Sequence, residues 1–229
     1  MARPGSDRLI FPLDVESLEQ ALPLVERLRG TVGVFKVGLE LFSAAGPDAV
    51  RAVRAAGATR IFLDVKLHDI PATVEGAARA LRALAPTFLT VHAAGGKAML
   101  EGAVRALGPD TCVLAITRLT SLSASVDEVC ELARVAREAG CGGVVCSGAE
   151  AAAVRQAVGP SLAIVCPGVR PAGGDPGDQA RVVTPEGAIR AGADYVVCGR
   201  PIRAAADPIA AAHAIADEIA SALGARARF

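Results

Sequence analysis

The sequence predicts an α/β fold, a closed (β/α)₈ barrel of the TIM type, formed by a single domain over residues 1–229. Eight short apolar runs alternate with Ala-rich segments of helical pattern along the whole chain. Each run is continuously apolar, which is typical of parallel strands covered by helices. A length of 229 residues with 52% hydrophobic residues suits one such barrel. A doubly wound open sheet is the alternative that this alternation leaves open.

The eight expected strands are short runs rich in Val, Ile, Leu and Phe. Because parallel strands need a crossover between them, the Ala-rich segments that separate these runs are expected to be helices. The runs cover residues 9–15, 33–39, 61–67, 88–94, 112–119, 143–148, 162–169 and 195–202.

Helical pattern is clearest in the segments 47–57, 72–84 and 125–140. In the last of these, Val126, Val129 and Leu132 recur on one face at helical spacing. Glycines close the first and last segments, where a left-handed residue is expected to end a helix.

Composition and charge exclude several classes of function. The chain has 24 Lys and Arg against 24 Asp and Glu, so it offers no excess charge for nucleic acid or an anionic membrane. The N-terminal residues lack the apolar run of a signal peptide, and no segment reaches the roughly 20 apolar residues that span a bilayer. The six cysteines form no CxxC pair, and four of them lie in strand-like runs. We therefore expect a cytoplasmic protein with reduced, buried thiols and no structural metal.

Polar residues gather where the expected strands end. In a parallel barrel the carboxyl ends of the strands surround one mouth, where functional residues collect. Because buried polar groups without partners are costly, we expect these side chains to face one another around a shared cavity. They are Asp14, Lys36, Asp64, Lys66, His92, Thr120, Ser147, Arg170 and Arg200.

The third expected strand carries the densest set of charges, in the segment RIFLDVKLHDIPATV. Asp64 and Lys66 are two positions apart, so both side chains should point to the same side of the strand, into the barrel mouth. Lys36 on the neighbouring strand can reach Asp64, and Asp69 or Asp14 extends the alternation of charge. A structural ion-pair network is the plainer alternative. The continuation into the loop HDIP, which has no core to stabilise, favours a functional site.

This array suits the formation of a carbanion and its protonation. A neighbouring negative charge favours the ammonium form of a lysine, so Lys66 would be a proton donor, and a poor base or Schiff-base nucleophile. A carboxylate beside it would repel an anionic group of the substrate and favour its loss.

Residues after the seventh and eighth expected strands predict a phosphate site. Gly199 allows close backbone approach, and Arg200 offers a guanidinium fork. Arg170 and Gln179 belong to the Gly- and Pro-rich loop 170–185, which is long enough to be a lid or binding loop. Phosphate often binds at this part of a (β/α)₈ barrel.

Several segments together resemble the orotidine 5′-phosphate decarboxylases. They are LDV at 13–15, FKVGLELF at 35–42, FLDVKLHDIPATV at 62–74, RLTSLS at 118–123, PGVRP at 167–171 and GDQARVVTPEGAIRAGADYVVCGRPI at 177–202. The Asp-x-Lys-x-His-Asp-Ile-Pro motif is highly specific, and the resemblance covers nearly the whole chain. The sequence departs from the family pattern at Pro12, which is expected to bend the first strand.

The resemblance implies a homodimer that converts orotidine 5′-phosphate to UMP and CO₂, the last step of de novo pyrimidine synthesis, without cofactor or metal. It implies that Lys66 gives a proton to C6 of the pyrimidine, that Asp64 lies against the substrate carboxylate, and that Asp69 enters from the other subunit. Lys36 and Asp14 would bind the ribose hydroxyls. The other implied substrate-binding residues are Thr120 at the pyrimidine, Arg170, Gln179, Gly199 and Arg200 at the phosphate, and His68, Ile70 and Thr73 in or beside the shared site.

Two rival functions remain open at this point. Sugar-phosphate decarboxylases and hexulose-phosphate synthases share the Asp-x-Lys strand end, but they use Mg²⁺ and a different loop after the lysine. A phosphate-ligand sensor without catalysis would have no need of the array of Asp64, Lys66 and Asp69. The segments HDIP, PGVRP and GDQ favour the pyrimidine enzyme.

Overall fold

Eight parallel strands close into a barrel in chain order in the computed structural model, which describes residues 3–119, 124–171 and 183–226. Each strand pairs with its neighbours in sequence, and the eighth pairs with the first through the register Leu9↔Val196 and Ile10↔Val197. The predicted (β/α)₈ barrel is therefore confirmed, and the open-sheet alternative is wrong.

The strands are shorter than most of the apolar runs that predict them. The third run matches its strand at both ends. The sixth continues past its strand into a loop at the barrel mouth, and the eighth continues through such a loop into the short helix Arg200–Arg203. The first strand keeps its register with the second up to Pro12, which is its last residue. The strands are β1 Leu9–Pro12, β2 Val34–Gly38, β3 Ile61–Leu67, β4 Phe88–His92, β5 Cys112–Ile116, β6 Gly143–Val145, β7 Ala163–Cys166 and β8 Tyr195–Val197.

Helices cover the outside of the barrel, and the three segments predicted from helical pattern are confirmed as α3 (Pro47–Ala55), α4 (Pro71–Arg82) and α6 (Val126–Glu138). Ser125 caps α6 by accepting a hydrogen bond from the backbone N–H of Glu128, three residues on. Gly57 and Gly140, with φ of 113° and 80°, follow α3 and α6 as predicted. The helices are α1 Leu18–Leu28, α2 Leu39–Ala45, α3 Pro47–Ala55, α4 Pro71–Arg82, α5 Lys97–Leu107, α6 Val126–Glu138, α7 Ala151–Val158, α8 Pro185–Arg190, α9 Arg200–Arg203 and α10 Pro208–Arg226.

The core has two layers, one between the strands and the helices and one inside the barrel. At the amino end of the strands, the inner layer ends in aromatic rings that pack edge to face. The centroids of Phe88 and Tyr195 are 5.2 Å apart, and the guanidinium of Arg60 lies 5.5 Å from each centroid. The inner layer consists of Ile10, Val34, Phe62, Phe88, Leu114, Val165 and Val197.

The pairing of β3 with β4 is irregular at the point where the charged residues lie. Leu63 pairs with Leu89, but the next pairing joins Leu67 to Val91, so four residues of β3 span the length of two on β4. Lys66 lies within this bulge and has a φ of 52°, in the left-handed region that non-glycine residues rarely adopt.

The cysteines are free thiols, as the sequence predicts, and all but the half-buried Cys112 are buried. Burial raises the pKa of Cys112 to about 11. It also raises the pKa of Cys141 and of Cys198 to about 12. In the described parts of the chain, no helix combines the length and the apolar character needed to cross a membrane.

Candidate active site

A cavity of 330 Å³ opens where the carboxyl ends of the strands meet. Its floor is formed by inner-layer residues such as Phe62 and Val197, and its wall is polar. The sequence prediction of one shared cavity is confirmed for six of the nine strand-end residues: Asp14, Lys36, Asp64, Lys66, Arg170 and Arg200 line it, and Gly199 lies among them. His92 and Ser147 are not among the lining residues. Ser147 instead accepts a hydrogen bond from the N–H of Ala149 in its own loop.

Four charged side chains of alternating sign form the centre of the site. Lys66 Nζ donates to Asp64 Oδ2 at 2.8 Å, and Lys36 Nζ lies 3.4 Å from the same oxygen. Lys36 Nζ also donates to Asp14 Oδ1 at 3.0 Å. The predicted alternation Lys36, Asp64, Lys66 is confirmed, but the expected aspartate beyond Lys66 is not found among the described residues: Asp14 pairs with Lys36, at the other end of the array.

The electrostatics of the array depend on Asp64, whose side chain is 11% exposed. Burial by itself would raise the pKa of Asp64. The ammonium groups of Lys36 and Lys66, with hydrogen bonds from Lys66 and Thr90, outweigh burial and hold this pKa below its usual value. The carboxylate is therefore charged at neutral pH, although it is buried.

Thr90 of β4 belongs to this site, and the sequence reasoning missed it. Its hydroxyl donates to Asp64 Oδ1 at 2.9 Å and accepts from the backbone N–H of Lys66 at 3.0 Å. Strand alternation places Phe88, Thr90 and His92 on one face of β4, but the contact of Thr90 with Asp64 and Lys66 depends on the irregular pairing of β3 with β4.

The rim after β7 and β8 carries the residues predicted to hold phosphate. Arg170 is buried, and its backbone N–H donates to the carbonyl of Val183 at 3.1 Å, which joins the two ends of the long loop. A side chain at Gly199 would place Cβ 2.6 Å from Cγ of Pro12, so glycine is required there. Arg200 begins α9 and lies on the exposed edge of the cavity.

The HDIP segment lies beside the cavity and does not line it. His68, Asp69, Ile70 and Thr73 are all exposed, and the side chain of Ile70 is 65% exposed. Asp69 Oδ1 accepts a hydrogen bond from the N–H of Ile70 at 2.7 Å. One chain therefore brings Asp64 and Lys66 to the cavity without bringing these four residues into its wall.

The rings of His68 and His92 stack with centroids 5.1 Å apart. Burial lowers the pKa of His92, and the nearby His68 and Lys66 lower it further, whereas Asp64 opposes them. His92 thus packs against the HDIP segment, and its imidazole favours the neutral form.

Two predicted residues, Thr120 and Gln179, lie outside the described residues. Two arginines that the sequence reasoning did not single out also line the cavity, Arg118 and Arg203. Arg203 donates to the backbone carbonyl of Asp14, and so it joins the rim after β8 to the charged array. Among the described residues, no three His, Cys, Asp or Glu side chains cluster as ligands for a metal ion.

Comparison with known proteins identifies relatives along most of the chain. The model of the orotidine 5′-phosphate decarboxylase / HUMPS family matches residues 7–215. The chain is 54% identical over 222 residues to the orotidine 5′-phosphate decarboxylase of Anaeromyxobacter sp. (strain K), covering 92% of this chain and 97% of that one. It is 52% identical over 235 residues to the protein of the same name from Moorella thermoacetica, covering 94% and 93%. The crystal structure of orotidine 5′-phosphate decarboxylase from Lactobacillus acidophilus is similar, with a TM-score of 0.80, 37% identity and coverage of 92% and 98%.

Proposed function

Because the chain belongs to the orotidine 5′-phosphate decarboxylase / HUMPS family, we propose that its charged array converts orotidine 5′-phosphate to UMP and CO₂, with Lys66 as the proton donor. The enzyme is a carbon–carbon lyase of the last step of UMP biosynthesis. The observation that carries the role of Lys66 is its 2.8 Å hydrogen bond to Asp64 inside the cavity.

The reaction needs one bond to break and one to form at C6 of the pyrimidine. The bond from C6 to the carboxylate carbon breaks, CO₂ leaves, and the electron pair stays on C6 in the plane of the ring. A proton from Lys66 Nζ then forms the new C6–H bond, and solvent returns a proton to the amine. The carboxylate of Asp64 holds the Lys66 amine in place through their 2.8 Å hydrogen bond.

Asp64 acts on the carboxylate that leaves. Its own carboxylate is buried and charged, so a second carboxylate placed against it is repelled until CO₂ departs. The amines of Lys36 and Lys66 both lie close to Asp64 Oδ2, at 3.4 and 2.8 Å, and in this proposal they stabilise the negative charge that develops at C6. Charges fixed before the substrate binds need no reorganisation during the reaction, which is the main source of electrostatic catalysis.

Binding of the phosphate supplies energy at a distance from C6. Arg170, Gly199 and Arg200 form the rim that would hold the phosphate, with Gln179 from the loop 170–185. Contacts to a remote group can drive closure over the substrate and exclude water from the array. We therefore propose that the loop 170–185 closes over the bound phosphate.

The ribose and the pyrimidine occupy the space between the array and the rim. Asp14 and Lys36 would bind the ribose hydroxyls, because their side chains meet at the edge of the cavity nearest Arg203. Thr120 would bind the pyrimidine. The proposed reaction uses no cofactor and no metal.

A homodimer completes the site in this proposal. Asp69 is exposed in one chain, and so are the apolar side chains of Ile70, at 65%, and Leu39, at 50%. Exposed apolar side chains next to a polar site are typical of a subunit interface. Asp69, His68, Ile70 and Thr73 of one subunit would then reach the cavity of the other. We place this dimer in the cytoplasm, since all six cysteines are free thiols.

Incubation of the protein with orotidine 5′-phosphate, followed by chromatography of UMP, tests the function. We expect UMP to form at the same rate with and without EDTA. Loss of turnover with EDTA would instead indicate the Mg²⁺-dependent relatives. Tight binding of the nucleotide without any UMP would indicate a sensor.

A further inference from the structure

The hydroxyl of Thr90 holds two functional groups at once. Thr90 is completely buried in the middle of β4. A hydroxyl has one proton to give, and here it donates that proton to Asp64 Oδ1 at 2.9 Å. The same oxygen accepts the backbone N–H of Lys66 at 3.0 Å. One side chain thus fixes the carboxylate of Asp64 and the main chain of Lys66 relative to each other.

The main chain of Lys66 needs such a restraint. Its φ of 52° lies in the left-handed region, where a side chain with a Cβ is strained. It also lies within the bulge of β3, between the pairings Leu63↔Leu89 and Leu67↔Val91. A strained backbone conformation persists only where the surroundings impose it. The hydrogen bond from the backbone N–H of Lys66 to Thr90 is such a constraint, because it acts directly on the strained residue.

We propose that Thr90 is a positioning residue for the decarboxylation, which holds the Lys66 ammonium and the Asp64 carboxylate in their reactive arrangement. The inference rests on the proposed function. Thr90 closes a ring of contacts in which Lys66 Nζ bonds Asp64 Oδ2, Thr90 bonds Asp64 Oδ1, and Lys66 N–H bonds Thr90. Both ends of the lysine are therefore tied to the same carboxylate.

Loss of the Thr90 hydroxyl should slow the chemical step more than it weakens substrate binding. Thr90 is not among the residues that line the cavity, and the phosphate rim of Arg170 and Arg200 is formed by other strands. Loss of the hydroxyl would leave the rim intact. It would let the Lys66 amine move away from C6, and small displacements of a reacting group lower turnover by up to roughly 100-fold.

Three variants separate positioning from packing. Thr90→Val keeps the shape of the side chain and removes the hydroxyl, whereas Thr90→Ser keeps the hydroxyl. Thr111→Val is the matched control, because Thr111 is also buried and its hydroxyl donates to the carbonyl of Pro86 at 2.9 Å, far from the array. Turnover of orotidine 5′-phosphate and thermal unfolding are measured for each variant.

We expect Thr90→Val to lower kcat roughly 10- to 100-fold with KM within about 3-fold of the wild type. Thr90→Ser should recover most of kcat, and Thr111→Val should keep it. An unchanged kcat in Thr90→Val overturns the inference. So does a Thr90→Ser variant that folds but is as slow as Thr90→Val, or an equal loss of kcat in Thr90→Val and Thr111→Val.

Crystal structures of the wild type and Thr90→Val give a readout that needs no turnover. We expect the variant to lose the contact between Lys66 Nζ and Asp64 Oδ2, or the left-handed φ of Lys66. If the wild type formed no UMP, the proposed function would fail, and these structures would still test the positioning by Thr90. If the Lys66–Asp64 contact and the φ of Lys66 are both unchanged in Thr90→Val, the proposed positioning role of Thr90 is contradicted.

Discussion

The Nζ atom of Lys66 lies 2.8 Å from Oδ2 of Asp64, which precedes it by two positions on β3. The amine of Lys36 lies 3.4 Å from the same oxygen. Two ammonium groups therefore share one buried carboxylate oxygen. This sharing fixes the positions of both cations before any ligand enters the cavity.

Replacement of Lys66 by alanine should nearly abolish UMP formation, because the proton donor and one stabilising charge are both lost. We expect kcat to fall roughly 1000-fold or more, while circular dichroism shows a folded barrel. Lys97→Ala is the control, since Lys97 is an exposed lysine in an ion pair with Glu138. Turnover of Lys66→Ala near that of Lys97→Ala would refute the proton-donor role.

Asp64 should make the stability of the fold depend on pH. Burial opposes the charged form, but Lys36 and Lys66 prevail and keep the folded pKa of Asp64 below its ordinary value of 3.8. The stabilisation is therefore complete above about pH 4 and is lost as the pH falls through the folded pKa. In urea unfolding, the free energy of unfolding should fall more for the wild type than for Asp64→Asn as the pH is lowered from about 5 to about 2.

The exposed Asp48, which pairs with Arg51 on α3, provides the control for this pH dependence. Asp48→Asn should keep the pH dependence of the wild type. An Asp64→Asn variant with that same dependence would show that Asp64 is not the titrating group.

Arg200→Ala should weaken ligands that carry a phosphate and leave others unchanged. A lost hydrogen bond to a charged group corresponds to about 1.5–3 kcal/mol, so the Kd of UMP should rise roughly 10- to 100-fold. Calorimetry with UMP and with uridine measures the difference, and Arg51→Ala controls for the loss of a surface cation. Equal weakening of UMP and uridine would contradict the phosphate assignment.

Gly199→Ala should disrupt the rim, because its Cβ would lie 2.6 Å from Cγ of Pro12. We expect a lower melting temperature and weaker UMP binding. Pro12→Ala removes the clashing ring atom, so the double variant should recover part of both losses. Gly76→Ala on α4, where a Cβ meets nothing within 4 Å, should have no such effect. The clash is disproved if the double variant is no better than Gly199→Ala.

Mixing Asp69→Ala with Lys66→Ala protein tests the proposed intersubunit site. Each variant alone should be nearly inactive. A mixed dimer should contain one cavity with both native residues, so activity should approach about a quarter of the wild type after random exchange of subunits. The absence of rescue in subunits shown to exchange would count against Asp69 acting across the interface.

Much of the barrel could be predicted because its signals are local. Continuous apolar runs predicted the eight strands, and period-two spacing predicted that Asp64 and Lys66 share one cavity, although Lys66 reaches it from a bulge with a left-handed φ. Strand ends were predicted less well where an apolar run continues into the mouth, as after Val145 and Val197. There the chain leaves the sheet while its side chains stay buried, so composition does not change at the boundary.

The role of Thr90 was missed for a different reason. Strict alternation describes a regular ladder, whereas β3 carries extra residues opposite β4 between Leu63 and Leu67. Such a bulge is a property of the pairing of two strands, and the amino-acid composition of neither strand indicates it. The residue that supports it, a threonine in an apolar run, therefore looked like an ordinary β-branched strand residue.

The aromatic rings beneath the cavity have a consequence for the order of product release. Phe62 and Phe88, with ring centroids 6.0 Å apart, and Tyr195 beyond them fill the interior below Asp64. In the proposed reaction, CO₂ released beside Asp64 would find the far end of the barrel filled by these rings. It would leave through the mouth of the cavity, the same opening that admits the nucleotide, so its escape would depend on how soon that opening is free.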